Sequence, residues 1–250
     1  MCLLLLALDV VPDRPWLLLG NRDEFHARPT AAAQAWVDVP GVIGGRDLEA
    51  GGSWLALNRN GRYAAVTNVR TGRPQRGVRS RGDLVADFVR GRDPAGNYAA
   101  AIAARRADYG PFNLIVGDGL SSWGVSSLEA EPWRMTRGAH VLSNGPRDAQ
   151  WPKVRVLRQR FMASVQSGKT DDTTLLDLLD HNEQPADDEL PDTGVGIELE
   201  RFLASIFVRG TEYGTRASTL VYAQTSGGMV LHERRFGPDG VALGESRLLI

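Results

Sequence analysis

The chain has 250 residues, of which 42% are hydrophobic and 24% charged, and it is long enough to bury a core without a metal or disulfide. Its 29 basic and 30 acidic side chains give a net charge of −1, which argues against a dedicated nucleic-acid-binding protein. The single cysteine, Cys2, excludes an intrachain disulfide. No apolar run is long enough to span a membrane, and the first one lacks the flanks of a secretory signal, so we expect a cytoplasmic protein.

Strands are predicted at both ends of the chain. Cys2–Leu8 and Trp16–Leu19 are apolar runs separated by Pro and Asp residues, a pattern typical of a β-hairpin with a longer loop. Ser53–Leu57 and Tyr63–Thr67 flank an Asn-Gly turn, which also indicates a hairpin. Further strands are predicted at Phe112–Val116, Trp133–Thr136, Ala139–Leu142, Ile206–Val208, Thr219–Ala223, Met229–Arg235 and Ser246–Ile250.

Helices are predicted in the middle of the chain. Ser80 begins a capping-box pattern before 84–89, the Ala-rich stretch 95–107 follows, and Pro152 suits the first turn of a helix through Phe161. Asp172 is a candidate cap for a helix over 173–179, and 181–196 reads as a long loop. Strands at both ends with helices between them predict one α+β domain over residues 1–250, with an antiparallel sheet covered by helices.

Cys2 is a candidate nucleophile because initiator methionine is removed when the second residue is small. Cys2 would then carry both a thiol and a free α-amine. An α-amine has a pKa of about 7.7–8.0 and can serve as general base, and a thiol with a pKa of about 8.5 is readily activated by such a neighbour. The alternative is a small apolar residue buried in a strand.

Polar residues follow the second predicted strand in Gly-Asn-Arg-Asp-Glu-Phe at 20–25. If the first two strands pair antiparallel, Arg22 and Asp23 lie beside Cys2, where the arginine would stabilise a thiolate and the carboxylate would hold the amine. A surface turn with a local ion pair is the alternative. The basic stretch 70–81 is interpreted as a solvated loop or, less simply, as a site for an anionic group.

Two asparagines also end predicted strands, Asn68 after 63–67 and Asn144 after 139–143. Side-chain amides at such positions can donate to an oxyanion, although each could instead form an Asx turn. Arg216 could bind a carboxylate or be a buried structural arginine. The histidine spacing predicts no metal site, and no serine-hydrolase, phosphate-loop or dinucleotide motif is present.

Several motifs together carry a resemblance. They are Met-Cys at the start, residues 20–25 followed by Arg28-Pro29, Gly-Gly-Ser-Trp-Leu at 51–55, Asn-Gly at 60–61 with Thr67-Asn68, Leu-Ser-Asn at 142–144 and Tyr-Gly-Thr-Arg-Ala-Ser-Thr at 213–219. In this order, over almost the whole chain, they resemble the NRDE family, also called the transport-and-Golgi-organisation-2 family. The resemblance implies an N-terminal-nucleophile-like αββα sandwich, with two stacked antiparallel sheets between helical layers.

The wider superfamily includes penicillin V acylase and conjugated bile salt hydrolase, which use an N-terminal Cys, an Arg, an Asp, two Asn and a late Arg. By this resemblance Cys2 is the nucleophile, Asn68 and Asn144 match the asparagines, and Arg216 matches the late arginine. Those acylases read G-R-N-x-D where this chain has Gly-Asn-Arg-Asp-Glu, so either Asp23 or Glu24 contacts the amine.

The catalytic candidates are therefore Cys2, Arg22, Asp23, Asn68, Asn144 and Arg216, and the substrate-binding candidates are Asn21, Glu24, Trp54 and Thr215. The expected reaction is hydrolysis of a non-peptide C–N amide bond in a small molecule, without a metal or cofactor. The resemblance also implies a rival, a haem- or lipid-handling protein on the same scaffold, with His26 as a possible haem ligand. A homodimer would be unsurprising for such a domain.

Overall fold

The computed structural model describes residues 2–73 and 75–250, with the side chain of Cys2 outside the described part. Its strands are β1 (Cys2–Val11), β2 (Arg14–Phe25), β3 (Thr30–Ala35), β4 (Val42–Asp47), β5 (Leu55–Asn58), β6 (Tyr63–Asn68), β7 (Phe112–Gly117), β8 (Ser122–Ser126), β9 (Trp133–Met135), β10 (Gly138–Leu142), β11 (Tyr213–Ala223), β12 (Met229–Phe236) and β13 (Ala242–Leu249). Its α-helices are α1 (Arg81–Arg90), α2 (Ala95–Ala104), α3 (Pro152–Gln166), α4 (Asp172–Asp177) and α5 (Ile197–Phe202).

The strands form two antiparallel sheets. Sheet A has the order β10-β1-β2-β11-β12-β13, and sheet B has the order β3-β4-β5-β6-β7-β8-β9. The first and last parts of the chain meet in sheet A, because β11 pairs with β2 and β12 pairs with β11. Sheet B is nearly a meander, since its strands follow one another along the chain and short loops join most of them.

Successive side chains of each strand point to opposite faces of its sheet, and this alternation divides the core into three apolar layers. Leu4, Leu6 and Leu18 of sheet A pack between the sheets against side chains of sheet B. Leu3, Leu5 and their neighbours on the other face pack under α3 and α4, while α1 and α2 cover the outer face of sheet B. The layer order is therefore helix, sheet, sheet, helix, which confirms the predicted α+β sandwich.

Most predicted elements are present, but one predicted strand is wrong. The run Ile206–Val208 is buried and is not a strand. Its polar backbone atoms are satisfied by loops and a side chain: Phe207 N donates to His181 O, and Asn21 Nδ2 donates to Ile206 O. A short apolar run indicates burial, and it takes a pairing partner to make it a strand. The cap of α4 is Asp171 instead of Asp172, since its Oδ1 accepts from Thr174 N at 3.0 Å.

The sequence patterns also missed β3, β4, β8 and α5. β3 and β4 are rich in Ala and Gly, which have low strand propensity. α5 lies just beyond the stretch 181–196 interpreted as a loop.

One irregularity matters for the site. In the pairing of β11 with β2, Thr215 lies opposite Asp23 and Ala217 lies opposite Arg22, so Arg216 is an extra residue in a β-bulge. Paired residues share a face of the sheet. Thr215 is therefore on the α3 side with Asp23, and Ala217 is on the side that faces sheet B.

Candidate functional site

A cavity of about 410 Å³ opens at the edge of the sandwich where β2 and β6 end. Its lining includes Arg22, Asp23 and Glu24 of β2, Trp54 just before β5, and Asn68 at the end of β6. Residues 75–81 of the basic stretch, with Gly82 after them, form another side of this first cavity. Five of the arginines and four of the carboxylates of the chain line it in total.

The pairing of β1 with β2 brings the start of the chain to this cavity. Cys2 lies directly opposite Arg22 in the antiparallel register, and Leu3 lies opposite Asn21. The adjacency predicted for position 2 and the polar end of β2 is thus present in the backbone. The predicted nucleophilic thiol itself lies outside the described atoms.

Arg22 is a buried arginine with loose ionic contacts. Its side chain is 5% exposed, and Nη2 lies 3.8 Å from Asp47 Oδ2 and 3.9 Å from Glu24 Oε2. Its guanidinium carbon lies 4.4 Å from the centroid of the Trp54 ring, a cation–π distance. Nη1 is buried and has no hydrogen-bond partner among the described atoms. Arg22 therefore has hydrogen-bonding capacity left for a ligand or a thiolate.

Asp23 is buried on the opposite face of β2. Its Oδ1 accepts a hydrogen bond of 2.7 Å from Thr215 Oγ1, and its backbone oxygen accepts one of 3.0 Å from Tyr213 Oη. Burial raises the pKa of Asp23 above its usual value, while the charges of Lys153 and Arg70 and the Thr215 bond act against that rise. A buried carboxyl group beside the chain start can hold or move a proton.

Asn68 and Asn144 form one cluster. Asn144 is fully buried, and its Nδ2 donates to Asn68 O at 2.8 Å and to Thr67 Oγ1 at 3.3 Å. Its Oδ1 has no hydrogen-bond partner among the described atoms. Asn113 Nδ2 supports the segment by donating to Ser143 O and Gly145 O at 3.0 and 2.8 Å. Sequence reasoning had singled out neither Asn113 nor Thr67 as support for the two asparagines.

A buried ion pair fixes the loop after β6. Arg70 Nη1 donates to Glu200 Oε2, and both side chains are less than 5% exposed. Arg70 N also donates to Asn144 O at 2.6 Å, so the pair is linked directly to the asparagine cluster. Lys153, buried in the first turn of α3, donates to Leu203 O at 3.0 Å and acts electrostatically on Asp23. Nothing in the sequence pattern distinguishes Lys153 and Glu200 from surface charges.

Four of the predicted site residues do not line the first cavity, namely Asn21, Asn144, Thr215 and Arg216. Asn21 is buried under the helices, with Nδ2 donating to Leu179 O and Ile206 O and Oδ1 accepting from Ser218 Oγ. Arg216 lies outside the first cavity, and its Nη1 donates to Phe25 O, Arg28 O and Thr30 Oγ1. Arg216 instead lines a second cavity of about 250 Å³, which also includes Arg22 and Trp54.

His26 contacts the loop that precedes β11. Its Nε2 lies 3.1 Å from Gly210 O, and burial lowers its pKa, although the Gly210 contact opposes this. Within residues 2–73 and 75–250, no group of three or more His, Cys, Asp or Glu side chains is arranged to hold a metal ion. Among the helices of that same part, none is long and apolar enough to cross a membrane.

The chain is similar to several known proteins. It is 30% identical to the mouse Transport and Golgi organization 2 homolog over 87% of this chain and 85% of that protein, and 31% identical to the bovine homolog over the same shares. It is 29% identical to the Drosophila melanogaster protein over 92% of this chain and 90% of that protein. Among solved structures, the Caenorhabditis elegans N-acylethanolamine-hydrolyzing acid amidase ortholog aligns with a TM-score of 0.49 and 8% identity, covering 88% of this chain and 92% of that one. The family model for Transport and Golgi organisation 2 matches residues 1–238, and the chain belongs to that family.

Proposed function

We propose that the protein hydrolyses a non-peptide carbon–nitrogen amide bond with Cys2 as its nucleophile after removal of Met1. The observation that carries the proposal is the register of β1 and β2, in which Cys2 lies opposite the buried Arg22 beside the first cavity. A cysteine whose backbone pairs beside an arginine and a carboxyl group of one cavity supplies the parts that acyl transfer requires.

In the first half of the reaction, the α-amine of Cys2 takes the thiol proton and the sulfur attacks the amide carbonyl. The tetrahedral intermediate collapses by breaking the C–N bond. The leaving amine receives the proton from the α-ammonium group, and the acyl group remains on sulfur as a thioester. In the second half, the α-amine deprotonates a water molecule, which cleaves the thioester and restores the thiol.

The remaining candidate residues have supporting roles in this reaction. Arg22, whose buried Nη1 has no hydrogen-bond partner among the described atoms, stabilises negative charge on sulfur. Asn68, which lines the first cavity, donates to the oxyanion, and Asn144 supports it by donating to Asn68 O and Thr67 Oγ1. Asp23, held by Thr215, positions the α-amine and shares its proton; Glu24 is the alternative for this part, since it lines the same cavity.

The binding alternative is a haem- or lipid-handling protein without turnover. It has less support, because the first cavity is lined mostly by charged and polar side chains and an acyl tail or porphyrin face favours an apolar wall. The contact between His26 Nε2 and Gly210 O also occupies the ring nitrogen that a haem iron would need.

The test begins with intact mass of the purified protein, where the proposal requires loss of Met1. The protein is then incubated with a panel of acyl amides, and a mass increase equal to the acyl group is sought. Since the chain has one cysteine, any thioester adduct identifies Cys2 without further mapping.

Cys2→Ala is the matched control, because alanine is also small enough for Met1 removal and retains the free α-amine. The adduct and product release should vanish in this variant while folding is unchanged. Retention of Met1 on most molecules, or equal turnover by Cys2→Ala, would sink the proposal. Stoichiometric haem or lipid binding that survives Cys2→Ala and Asn144→Ala, with no adduct on any amide, would favour the alternative.

A further inference from the structure

The second cavity lies where β3 of sheet B faces β11, β12 and β13 of sheet A. It shares Arg22 and Trp54 with the first cavity, and its other walls include Arg216 from the bulge of β11 and Arg235 from β12. Arg22, the residue that lies opposite Cys2, therefore borders both cavities.

Positive charge predominates in the second cavity. Its lining contains three arginines, Arg22, Arg216 and Arg235, and a single carboxylate, Glu233. Glu233 is 1% exposed and already accepts a hydrogen bond of 2.8 Å from Ala33 N, while its Oε1 is 4.0 Å from Arg235 Nη1. The lining of the second cavity therefore has one carboxylate for three guanidinium groups.

The arginines retain donors for a ligand. Arg216 makes its three hydrogen bonds through Nη1, and no described residue accepts from its Nε or Nη2. Arg22 Nη1 is buried without a partner in the described part of the chain, and its nearest carboxylates, Asp47 and Glu24, are 3.8 and 3.9 Å from Nη2. Arg235 uses Nη1 for a bond of 2.6 Å to Ser246 Oγ.

The electrostatics of Arg216 agree with an anion site. Burial lowers the pKa of Arg216, and the positive charge of Arg22 lowers it further, while Glu24 and Asp47 act in the opposite direction. Two partly buried guanidinium groups that repel one another are stabilised by an anion between them. A guanidinium fork also matches a carboxylate in geometry.

We propose that the second cavity binds a free carboxylate of the substrate, so that the protein acts on amides bearing a carboxylate group. The anion site stands on its own geometry, whereas its assignment to an amide substrate rests on the hydrolase function proposed above. The scissile amide then lies beside Arg22, with one substituent in the first cavity and the carboxylate in the second. Glu233 disfavours a dianion such as phosphate, because it would repel the second negative charge.

The carboxylate can belong to either side of the amide. On the amine side the substrate is an N-acylated amino acid, and on the acyl side it is the half-amide of a dicarboxylic acid. Matched probes separate these sources: N-acetylglycine is compared with neutral N-acetylglycinamide, and succinamic acid is compared with neutral succinamide.

Binding of the four probes is measured by ligand-observed NMR on the Cys2→Ala protein, in which turnover cannot interfere. At least one carboxylate probe should bind about tenfold or more tightly than its neutral partner, as expected for charge-assisted bonds to arginine. Arg216→Gln and Arg235→Gln should each reduce this preference to about threefold or less. Arg134→Gln is the matched control, because Arg134 is exposed on β9 at the far edge of sheet B and should leave the preference intact.

Arg216 also donates hydrogen bonds to three oxygen atoms near the end of β2, so its replacement can disturb the fold. The Arg235→Gln variant keeps the test valid in that case. The inference is overturned if neither carboxylate probe is preferred, if the preference survives Arg235→Gln, or if inorganic phosphate binds more tightly than both acids. A carboxylate preference without turnover of any amide by the unmodified protein would refute the hydrolase function alone. Turnover of amides without a carboxylate preference would refute the anion site alone.

Discussion

Glu200→Gln should destabilise the protein strongly, because it removes one charge of the buried ion pair and leaves the other. Glu200 is 3% exposed at its side chain and Arg70 is 4% exposed, so water cannot solvate the guanidinium that remains. Glutamine keeps the volume and can still accept from Thr193, which donates to Glu200 Oε1 through N at 2.8 Å and through its hydroxyl. Loss of one partner of a buried pair costs about 3–5 kcal/mol, and we expect a loss in this range.

Arg70→Met should cost less than Glu200→Gln, because the stranded carboxyl group can take up a proton whereas the stranded guanidinium cannot lose one. The loss of unfolding free energy in the double variant should be smaller than the sum of the two single losses by about 1–3 kcal/mol. The assay is urea unfolding at neutral pH, followed by far-UV circular dichroism for all three variants and the parent.

The matched control is the exposed pair of Arg201 and Asp187, whose nearest atoms are 2.7 Å apart with side chains 39% and 58% exposed. Asp187→Asn should cost much less than Glu200→Gln, since water screens the charge that is left. Additive losses for Glu200→Gln and Arg70→Met, or a Glu200→Gln loss no larger than that of the control, would refute the assignment of a coupled buried pair.

Three further perturbations test other parts of the site. Thr215→Val should cost about 1–3 kcal/mol in urea unfolding and raise the pKa of Asp23 further, because a buried carboxyl group loses its donor at 2.7 Å; an unchanged unfolding midpoint would contradict this. Burial raises the pKa of Glu233 above 4.5, so the folded parent loses stability as pH rises from there through the folded value. Glu233→Gln should therefore gain stability relative to the parent over that rise, and a parallel pair of stability–pH curves would argue against it. In Gly45→Ala the new Cβ would lie 2.1 Å from Trp54 Cη2, which should cost about 1–3 kcal/mol, and less in a Trp54→Ala background; an equal loss in both backgrounds would show that the ring is not the obstacle.

The family motifs implied the four layers of this fold, whereas the apolar pattern alone predicted one antiparallel sheet covered by helices. The hairpin of Cys2–Leu8 with Trp16–Leu19 is present, extended at both strands to β1 and β2. The strands that escaped prediction, β3 and β4, are rich in Ala and Gly, and they are strands because neighbours in sheet B supply their hydrogen bonds. Pairing with a neighbouring strand overrides the low strand propensity of Ala and Gly, so these strands leave little mark on the local pattern.

The candidate site was predictable in part. An antiparallel hairpin necessarily returns Arg22 to the vicinity of Cys2, so this pairing followed from the sequence, and the register confirms it. Asn21 is adjacent in sequence but belongs to the opposite face, where helices and loops occupy its amide. The contributions of Arg70 and Glu200 could not be predicted, because they are 130 residues apart and meet only after the layers assemble.

The bulge in β11 adds one residue that has no partner on β2, so residue numbers before and after it follow different alternations between the two faces. In an uninterrupted strand, positions 215 and 217 would share one face, whereas here they serve opposite faces. Deleting residue 216 would restore the regular alternation and leave Thr215 opposite Asp23 and Ala217 opposite Arg22, so the deletion would remove only the guanidinium that the bulge carries. An alignment of this chain with its relatives therefore has to count residues through 213–219 correctly before any arginine there can be matched to another.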